Sequence, residues 1–163
     1  MKTLLIGLGN RFRHDDGAGL QFVRQFSTNM TDFVDSRLFE GDPIDLIELW
    51  QGADRVMLID ATSSGAEPGT VQRLDASEKA LPEELFGRQS THLFSIADAI
   101  ELARRLEKLP QEVIIFGIEG ANFSFGEGLS GEVQEVLAKL NQQVLDELAQ
   151  LTASAKKESK ASA

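Results

Sequence analysis

The sequence contains no cysteine, and this absence excludes several classes of protein. Disulfide-stapled secreted domains, cysteine nucleophiles and cysteine-based zinc sites all need thiols that the chain does not have. The 163 residues, of which 42% are hydrophobic and 26% charged, have the length and balance of one domain with one buried core. This composition fits a reducing, cytoplasmic location.

Positive charge is scarce, since 16 lysines and arginines stand against 26 acidic residues and the formal net charge is −10. Nucleic-acid-binding proteins usually carry a basic patch that neutralises phosphates. We therefore expect the partner to be a protein or a small molecule and not a nucleic acid. Because most acids are solvated surface residues, only acids in unusual positions are candidates for function.

Long apolar runs are also missing. The segment Met1–Ile6 resembles the start of a signal peptide, but Asn10, Arg11 and Arg13 interrupt the apolar run too early. No stretch has the roughly 20 apolar residues that a membrane-spanning helix requires. We expect no membrane insertion, and a monomer is the default expectation.

Apolar segments of strand length alternate with segments of helical periodicity. Strands are predicted at Lys2–Leu8, Asp32–Glu40, Arg55–Ile59, Thr70–Leu74 and Glu112–Ile118, and helices after Asp16, at Ile44–Trp50, from His92 to Leu106 and after Ser130. This alternation predicts a single three-layer α/β domain, a mostly parallel twisted sheet flanked by helices. The domain is predicted to span residues 1–151. Residues 152–163, which are rich in Ala, Ser and Lys, are predicted to form a disordered tail.

Three residues with suitable chemistry are predicted at one edge of this sheet. Asp16 lies in the loop after the first strand, Asp60 directly follows the Arg55–Ile59 strand, and His92 begins a helix. Sites in parallel sheets form at the carboxyl ends of the strands. Two carboxylates and one imidazole suit a borderline divalent metal such as nickel or zinc, so the sequence predicts a metal site here.

Each of these residues also has a purely structural interpretation. Asp16 favours a helix N-terminus, Asp60 could cap a turn, and His92 could be an ordinary, partly exposed histidine. The only other histidine is His14, so no imidazole-rich alternative site can be assembled. His14 itself is a candidate fourth ligand, a proton carrier or a solvent-facing loop residue, and we favour the last.

Other catalytic templates are missing. The chain has no Gly-x-Ser-x-Gly elbow and no His-Glu-x-x-His helix. Gly7-Leu8-Gly9 is followed by Phe12 where a dinucleotide-binding fingerprint has its third glycine. We therefore expect neither serine-hydrolase chemistry nor a nicotinamide or other organic cofactor.

The segment Leu5–Gly19, LIGLGNRFRHDDGAG, resembles the opening of hydrogenase maturation proteases. The resemblance continues in order and spacing through Glu40–Pro43, Leu58–Ala61, Ser90–His92 and Phe125–Ser130. It implies a phosphorylase/hydrolase-like α/β fold. One departure is that many relatives carry Asp-Gly-Gly-Thr where this chain has Glu40–Pro43, which bears on how the substrate is held.

The resemblance also implies an activity and a site. It implies an endopeptidase that removes a C-terminal peptide from the nickel-loaded large-subunit precursor of a [NiFe] hydrogenase. Metal binding and catalysis are assigned by the resemblance to Asp16, Asp60 and His92. The nickel is expected to be presented by the substrate.

Two other functions fit parts of the sequence. Peptidyl-tRNA hydrolase also begins with a Gly-Leu-Gly-Asn strand end, but that family continues with a proline-glycine turn and a histidine-asparagine pair, and an acidic chain suits tRNA poorly. A non-catalytic nickel-site metallochaperone or docking factor needs the same three ligands as the protease. Shortening of the precursor on incubation separates that alternative from the protease.

Overall fold

The computed structural model describes residues 2–26, 32–82 and 95–162. The strands are β1 (Thr3–Leu8), β2 (Val34–Phe39), β3 (Arg55–Thr62), β4 (Val71–Asp75) and β5 (Glu112–Glu119). The α-helices are α1 (Ala18–Gln25), α2 (Leu46–Leu49), α3 (Ile96–Arg105) and α4 (Gly131–Ala161), with short 3-10 helices at His14–Gly17 and Pro43–Asp45.

The strands form one sheet in the order β2-β1-β3-β5-β4. Three pairings, β1 with β2, β1 with β3 and β3 with β5, are parallel, and β4 pairs with β5 in the antiparallel direction. Crossover connections are required wherever the strands are parallel. The predicted fold class, a mostly parallel sheet flanked by helices, is confirmed.

Helices cover both faces of the sheet, which gives three layers. On one face, strand residues such as Leu4 and Leu58 pack against α2 and α3. On the other, Leu5 and Met57 pack against α1 and α4. Alternation of side chains along a strand places residues two apart on the same face, so Asp60 lies on the face that α2 and α3 cover.

Two glycines bring α1 into direct contact with the sheet. A Cβ atom on Gly19 would overlap the carbonyl oxygens of Ile59 and Leu8, and a Cβ on Gly7 would overlap the Gly19 carbonyl. Only glycine permits this close approach of helix and strands. The approach fixes the start of α1, and the loop before it, beside the carboxyl ends of β1 and β3.

Strand β3 is longer than the sequence predicts. It continues through Asp60 to Thr62, whose backbone pairs with Glu119 at the end of β5. Asp60 is therefore a buried strand residue, and not the first residue of a loop. The apolar run ends at Ile59, whereas the hydrogen-bonded ladder ends three residues later, because polar residues continue the pairing.

Helix α3 begins at Ile96, after Ser95, which forms a capping box with Asp98. The helix predicted to start at His92 therefore starts later, since Ser95 and Asp98 satisfy the first free N–H groups. His92 itself lies outside the described residues.

Helix α4 continues through Ala161, although the composition predicts a disordered tail from residue 152. Ala, Lys and Glu are strong helix formers, which accounts for the continuation. The described side chains of residues 153–162 are exposed. None of the described helices is both long and apolar enough to cross a membrane.

Candidate active site

Asp60 is the central acid of the predicted site. It is only 8% exposed, and its carboxylate accepts a hydrogen bond from the backbone N–H of Ala61 at 2.8 Å. Burial raises the pKa of Asp60 well above its ordinary value, the negative charge of Asp16 raises it further, and the Ala61 hydrogen bond opposes both. Burial and a neighbouring negative charge both disfavour the ionised form of a carboxyl.

Asp16 lies in the 3-10 helix His14–Gly17 and is half-buried. Its backbone is held from both sides: its N–H donates to the Arg13 carbonyl at 3.1 Å, and its carbonyl accepts from Asn10 N at 3.3 Å. Gly9, at φ +140°, leaves no room for a side chain against the Asp16 carbonyl. Asp16 is also close enough to Asp60 for its charge to raise the pKa of that acid, so two of the three predicted residues lie near each other.

Asp16 and Asp60 are the described side chains that could hold a divalent cation at this edge of the sheet. A bound cation would relieve both the desolvation of Asp60 and its repulsion by Asp16. Among the described residues, no group of three or more His, Asp or Glu side chains is placed to hold a metal. The third predicted ligand, His92, belongs to the part of the chain that is not described, so its place in the site stays a prediction.

Asp15 is a buried acid whose role the sequence does not reveal. Its carboxylate accepts hydrogen bonds from Ser130 N and Oγ at 2.7 and 2.9 Å, from Ala121 N at 2.7 Å and from Asn122 N at 3.0 Å. Burial alone would raise the pKa of Asp15, but the donated hydrogen bonds outweigh it and the pKa is lowered. Asp15 therefore anchors the loop after β5 beside Asp16.

Ser130 contributes to this anchoring. Ser130 is the N-cap residue of α4, but its side chain makes no hydrogen bond to the helix backbone. Its hydroxyl donates instead to Asp15. The residue thus connects α4 with the first loop.

Glu119 is a second buried acid that sequence reasoning missed. Its carboxylate accepts hydrogen bonds from Thr62 Oγ1 at 2.7 Å, Ser64 N at 2.8 Å, Ser64 Oγ at 2.9 Å and Gly65 N at 3.1 Å. These donors all belong to the end of β3 and the loop after it. Glu119 therefore fixes that loop to the end of β5.

His14, for which the sequence favours a solvent-facing position, is only partly exposed and makes contacts with a distant segment. It is half-buried, its Nδ1 lies 3.0 Å from the Gly128 carbonyl oxygen, and its backbone N–H donates to the Gly126 carbonyl at 2.8 Å. Its φ of +45° is in the left-handed region, and a side chain on Gly126 would overlap its ring. His14 joins the first loop to the segment that precedes α4.

The turn Glu40–Pro43 braces the other side of the first loop. Glu40 accepts a bidentate pair of hydrogen bonds from the Arg11 guanidinium, at 2.6 and 3.0 Å, and another from Arg11 N at 3.3 Å. The side-chain hydrogen bond from Arg11 lowers the pKa of Glu40 and raises the pKa of Arg11. Asp42 accepts from Ile44 N at 3.1 Å and begins the next 3-10 helix.

A family model described as hydrogenase maturation protease matches residues 23–147. The hydrogenase expression/formation protein HupD of Thiocapsa roseopersicina is 26% identical over 153 residues, which cover 91% of this chain and 68% of HupD.

Solved structures of proteases share the fold. The hydrogenase maturating endopeptidase HybD from E. coli aligns with a TM-score of 0.75 at 22% identity, over 92% of this chain and 93% of that one. The [NiFe] hydrogenase maturation protease HybD from Thermococcus kodakarensis aligns with a TM-score of 0.60 at 27% identity, over 91% of this chain and 99% of that one. The family model matches most of this chain. The chain therefore belongs to the hydrogenase maturation proteases, a family of endopeptidases.

Proposed function

We propose that this protein removes a C-terminal peptide from the nickel-loaded large-subunit precursor of a [NiFe] hydrogenase. Family membership supports the reaction class and the kind of substrate, since the relative from T. kodakarensis is a [NiFe] hydrogenase maturation protease. The observation that carries the proposal is the buried carboxyl of Asp60 beside Asp16 at the carboxyl edge of the sheet.

Asp16 and Asp60 bind the nickel that the substrate brings, and His92 is proposed as the third ligand. Without a cation, the ionised form of Asp60 is disfavoured by burial and by Asp16. A cation in the substrate removes this penalty, so the pair favours a precursor that carries nickel over one that does not. Recognition through the metal makes nickel insertion a condition for cleavage.

Nickel bound in this way places the scissile peptide bond next to a Lewis acid, which polarises its carbonyl or activates water. Water adds to the carbonyl carbon, the C–N bond breaks, and the released amine takes up a proton. Asp16 and Asp60 orient the substrate by fixing its nickel, which turns the attack into a reaction between positioned groups. In this proposal the enzyme acts as a monomer, without nucleic acid, membrane or organic cofactor.

The test is incubation of the purified protein with nickel-loaded and nickel-free precursor, followed by intact-mass spectrometry. The loaded precursor is expected to become shorter by one C-terminal peptide, and the nickel-free precursor to keep its mass. Equal cleavage of both forms contradicts recognition through the metal. Binding of the loaded precursor without any shortening supports the metallochaperone or docking factor instead.

A further inference from the structure

An open groove of about 490 Å³ lies beyond the carboxyl ends of β3 and β5. One wall is the loop after β3, with Ser63, Gly65 and Pro68, and the other is the segment 119–124 at the end of β5. Arg13, from the first loop, lines it as well. The groove therefore touches the same three chain segments that build the candidate active site.

The groove begins close to Asp60. Along β3, Asp60 is followed two residues later by Thr62, which pairs with Glu119, and three residues later by the first groove residue, Ser63. A strand rises about 3.3 Å per residue, so roughly 7–10 Å separate the acid from the groove, a distance that an extended peptide covers with about two or three residues.

The walls of the groove are fixed by the two buried acids that the cleavage mechanism does not use. Glu119 holds one wall through Thr62, Ser64 and Gly65. Asp15 holds the other through the N–H groups of Ala121 and Asn122. A pre-formed site binds its ligand with less loss of conformational entropy, so a ligand of this groove would find its walls already in place.

Arg13 adds a positive charge to the groove. The other charged residue of its described lining is Glu119, whose carboxylate already accepts four hydrogen bonds. The Arg13 Nε donates to the Phe123 carbonyl at 3.2 Å, and its guanidinium carbon lies 4.9 Å from the centre of the Phe125 ring. Within the described ranges, no carboxylate lies within 4.0 Å of this guanidinium. In a chain with a net charge of −10, such a cation selects a negatively charged group.

We propose that the groove binds the stretch of precursor that follows the cut bond, in extended form, and that Arg13 binds a carboxylate of that stretch. The inference rests on the proposed function. The volume is that of a small-molecule site, enough for a few residues of extended chain but too small for a folded surface. The stretch before the cut is joined to the folded, nickel-bearing subunit, so the free-ended stretch after it is the part that fits.

The experiment uses a fluorescent synthetic peptide with the sequence of the precursor's C-terminal stretch, and measures its binding to the full-length protein by anisotropy. Arg13→Ala is expected to weaken binding about 10-fold, the loss of one charge-assisted contact, and Arg13→Lys less. The matched control is Arg105→Ala, which also removes one positive charge. Arg105 is the exposed last residue of α3, shortly before β5 begins, and so lies at the end of the sheet opposite the groove. Equal binding by the Arg13→Ala and Arg105→Ala proteins overturns the proposal.

Two further peptides test the carboxylate on the unaltered protein, which removes any concern that a variant misfolds. One has an amidated C-terminus, and the other has amides in place of its acidic side chains. The peptide that loses affinity identifies which carboxylate Arg13 binds. Unchanged affinity for both contradicts the proposed contact.

A kinetic measurement separates substrate binding from a merely structural role of Arg13. With nickel-loaded precursor, Arg13→Ala is expected to raise KM and leave kcat within a factor of about 2, because the contact persists from ground state to transition state. A fall in kcat with unchanged KM overturns the proposal. The two proposals can fail separately. If the protein binds the peptide through Arg13 but never shortens the precursor, the proposed function is contradicted and the groove is still a peptide-binding site.

Discussion

The buried acids at the carboxyl edge of the sheet fall into two kinds. Asp15 and Glu119 are each surrounded by hydrogen-bond donors from other segments of the chain, and every one of the donor distances is 3.1 Å or less. Asp60 accepts from the neighbouring Ala61 N–H and faces the negative charge of Asp16. Acids at the same edge of the sheet thus have opposite electrostatic environments.

This contrast distinguishes acids that hold the structure together from acids that are available for chemistry. Burial penalises every carboxylate, and donated hydrogen bonds compensate the penalty where enough of them converge. Where they do, as at Asp15, the pKa is lowered and the acid fastens loops. Where a second acid stands instead, as at Asp60, the pKa is raised, and a bound cation would relieve the penalty. Substitution of the two kinds of acid should therefore have opposite effects on stability.

The largest effect is expected for Asp60→Asn. Loss of a carboxylate ligand should reduce processing of nickel-loaded precursor by about 10³-fold or more, since metal-assisted steps depend on several kcal/mol of stabilisation. The same variant should be more stable than the unaltered protein at neutral pH, because it removes a charge that burial and Asp16 disfavour. Each kcal/mol gained corresponds to roughly 2–4 °C in Tm for a domain of this size.

The stability gain should depend on pH in a defined direction. The folded-state pKa of Asp60 is raised, so the folded protein holds this proton more tightly than the unfolded chain. Stability is therefore lost as pH rises from about 4, the ordinary pKa of an aspartate, through the raised value. In urea titrations without metal, the gap between Asp60→Asn and the unaltered protein should widen over that range. A gap that narrows, or a variant that is less stable at neutral pH, would show that Asp60 is a structural residue.

Asp15→Asn is expected to act on stability first. The amide can accept fewer hydrogen bonds, so buried N–H groups of Ala121, Asn122 or Ser130 lose their acceptor, at a cost of about 2–4 kcal/mol. Urea denaturation measures this cost, and the exposed Asp45→Asn serves as control with a change within about 0.5 kcal/mol.

The pH dependence of the Asp15 effect should run opposite to that of Asp60. Its folded-state pKa is lowered, so its stabilisation is complete above about pH 4 and is lost as pH falls through the folded value. The difference between the unaltered protein and Asp15→Asn should therefore shrink in acid. A difference that stays constant down to about pH 2 would mean that the ionised form of Asp15 is not what holds the loop.

Much of the fold follows from the sequence, because apolar runs of strand length alternate with amphipathic helices. The pattern fails where polar residues continue a strand: the Thr62 and Glu119 pair extends β3 and β5 beyond their apolar residues. For the same reason the pattern places Asp60 in a loop. Hydrophobic periodicity reports burial of apolar side chains, and it carries no information on a polar pair that is buried because its hydrogen bonds are complete.

The candidate site is predictable in part. The convergence of Asp16 and Asp60 follows from the rule that parallel strands present their carboxyl ends at one edge. The roles of Asp15 and Glu119 do not follow from the sequence, because their donors lie 54 to 115 residues away along the chain. The contacts of His14 at Gly126 and Gly128 do not follow from the sequence for the same reason, since they come from a distant segment. The metal roles of Asp16, Asp60 and His92 stay predictions.

The smallest effect is expected at the C-terminal end of α4, far from the edge of the sheet where the acids lie. Leu148, 1% exposed, and Glu147, which pairs with Arg73 at 2.7 Å, are fixed to the domain. Beyond them, the described side chains of residues 153–162 are exposed. Deletion of residues 153–163 should therefore change Tm by less than about 2 °C, which is the lower end of the change that 1 kcal/mol produces in a domain of this size, and leave processing unchanged.

A longer deletion, of residues 146–163, provides the contrast. It removes Leu148 and Glu147 and should cost about 3–5 kcal/mol, of which the buried leucine alone accounts for about 2 or more. Far-UV circular dichroism shows whether residues 153–163 are helical or disordered. If they are helical, their deletion lowers the total helical signal, and if they are disordered, the helical signal does not change. An isolated helix extension that packs on nothing is marginal in water, so either result is compatible with an unchanged Tm. A large loss of stability or of processing with the short deletion would instead show that these residues dock onto the domain or onto the precursor.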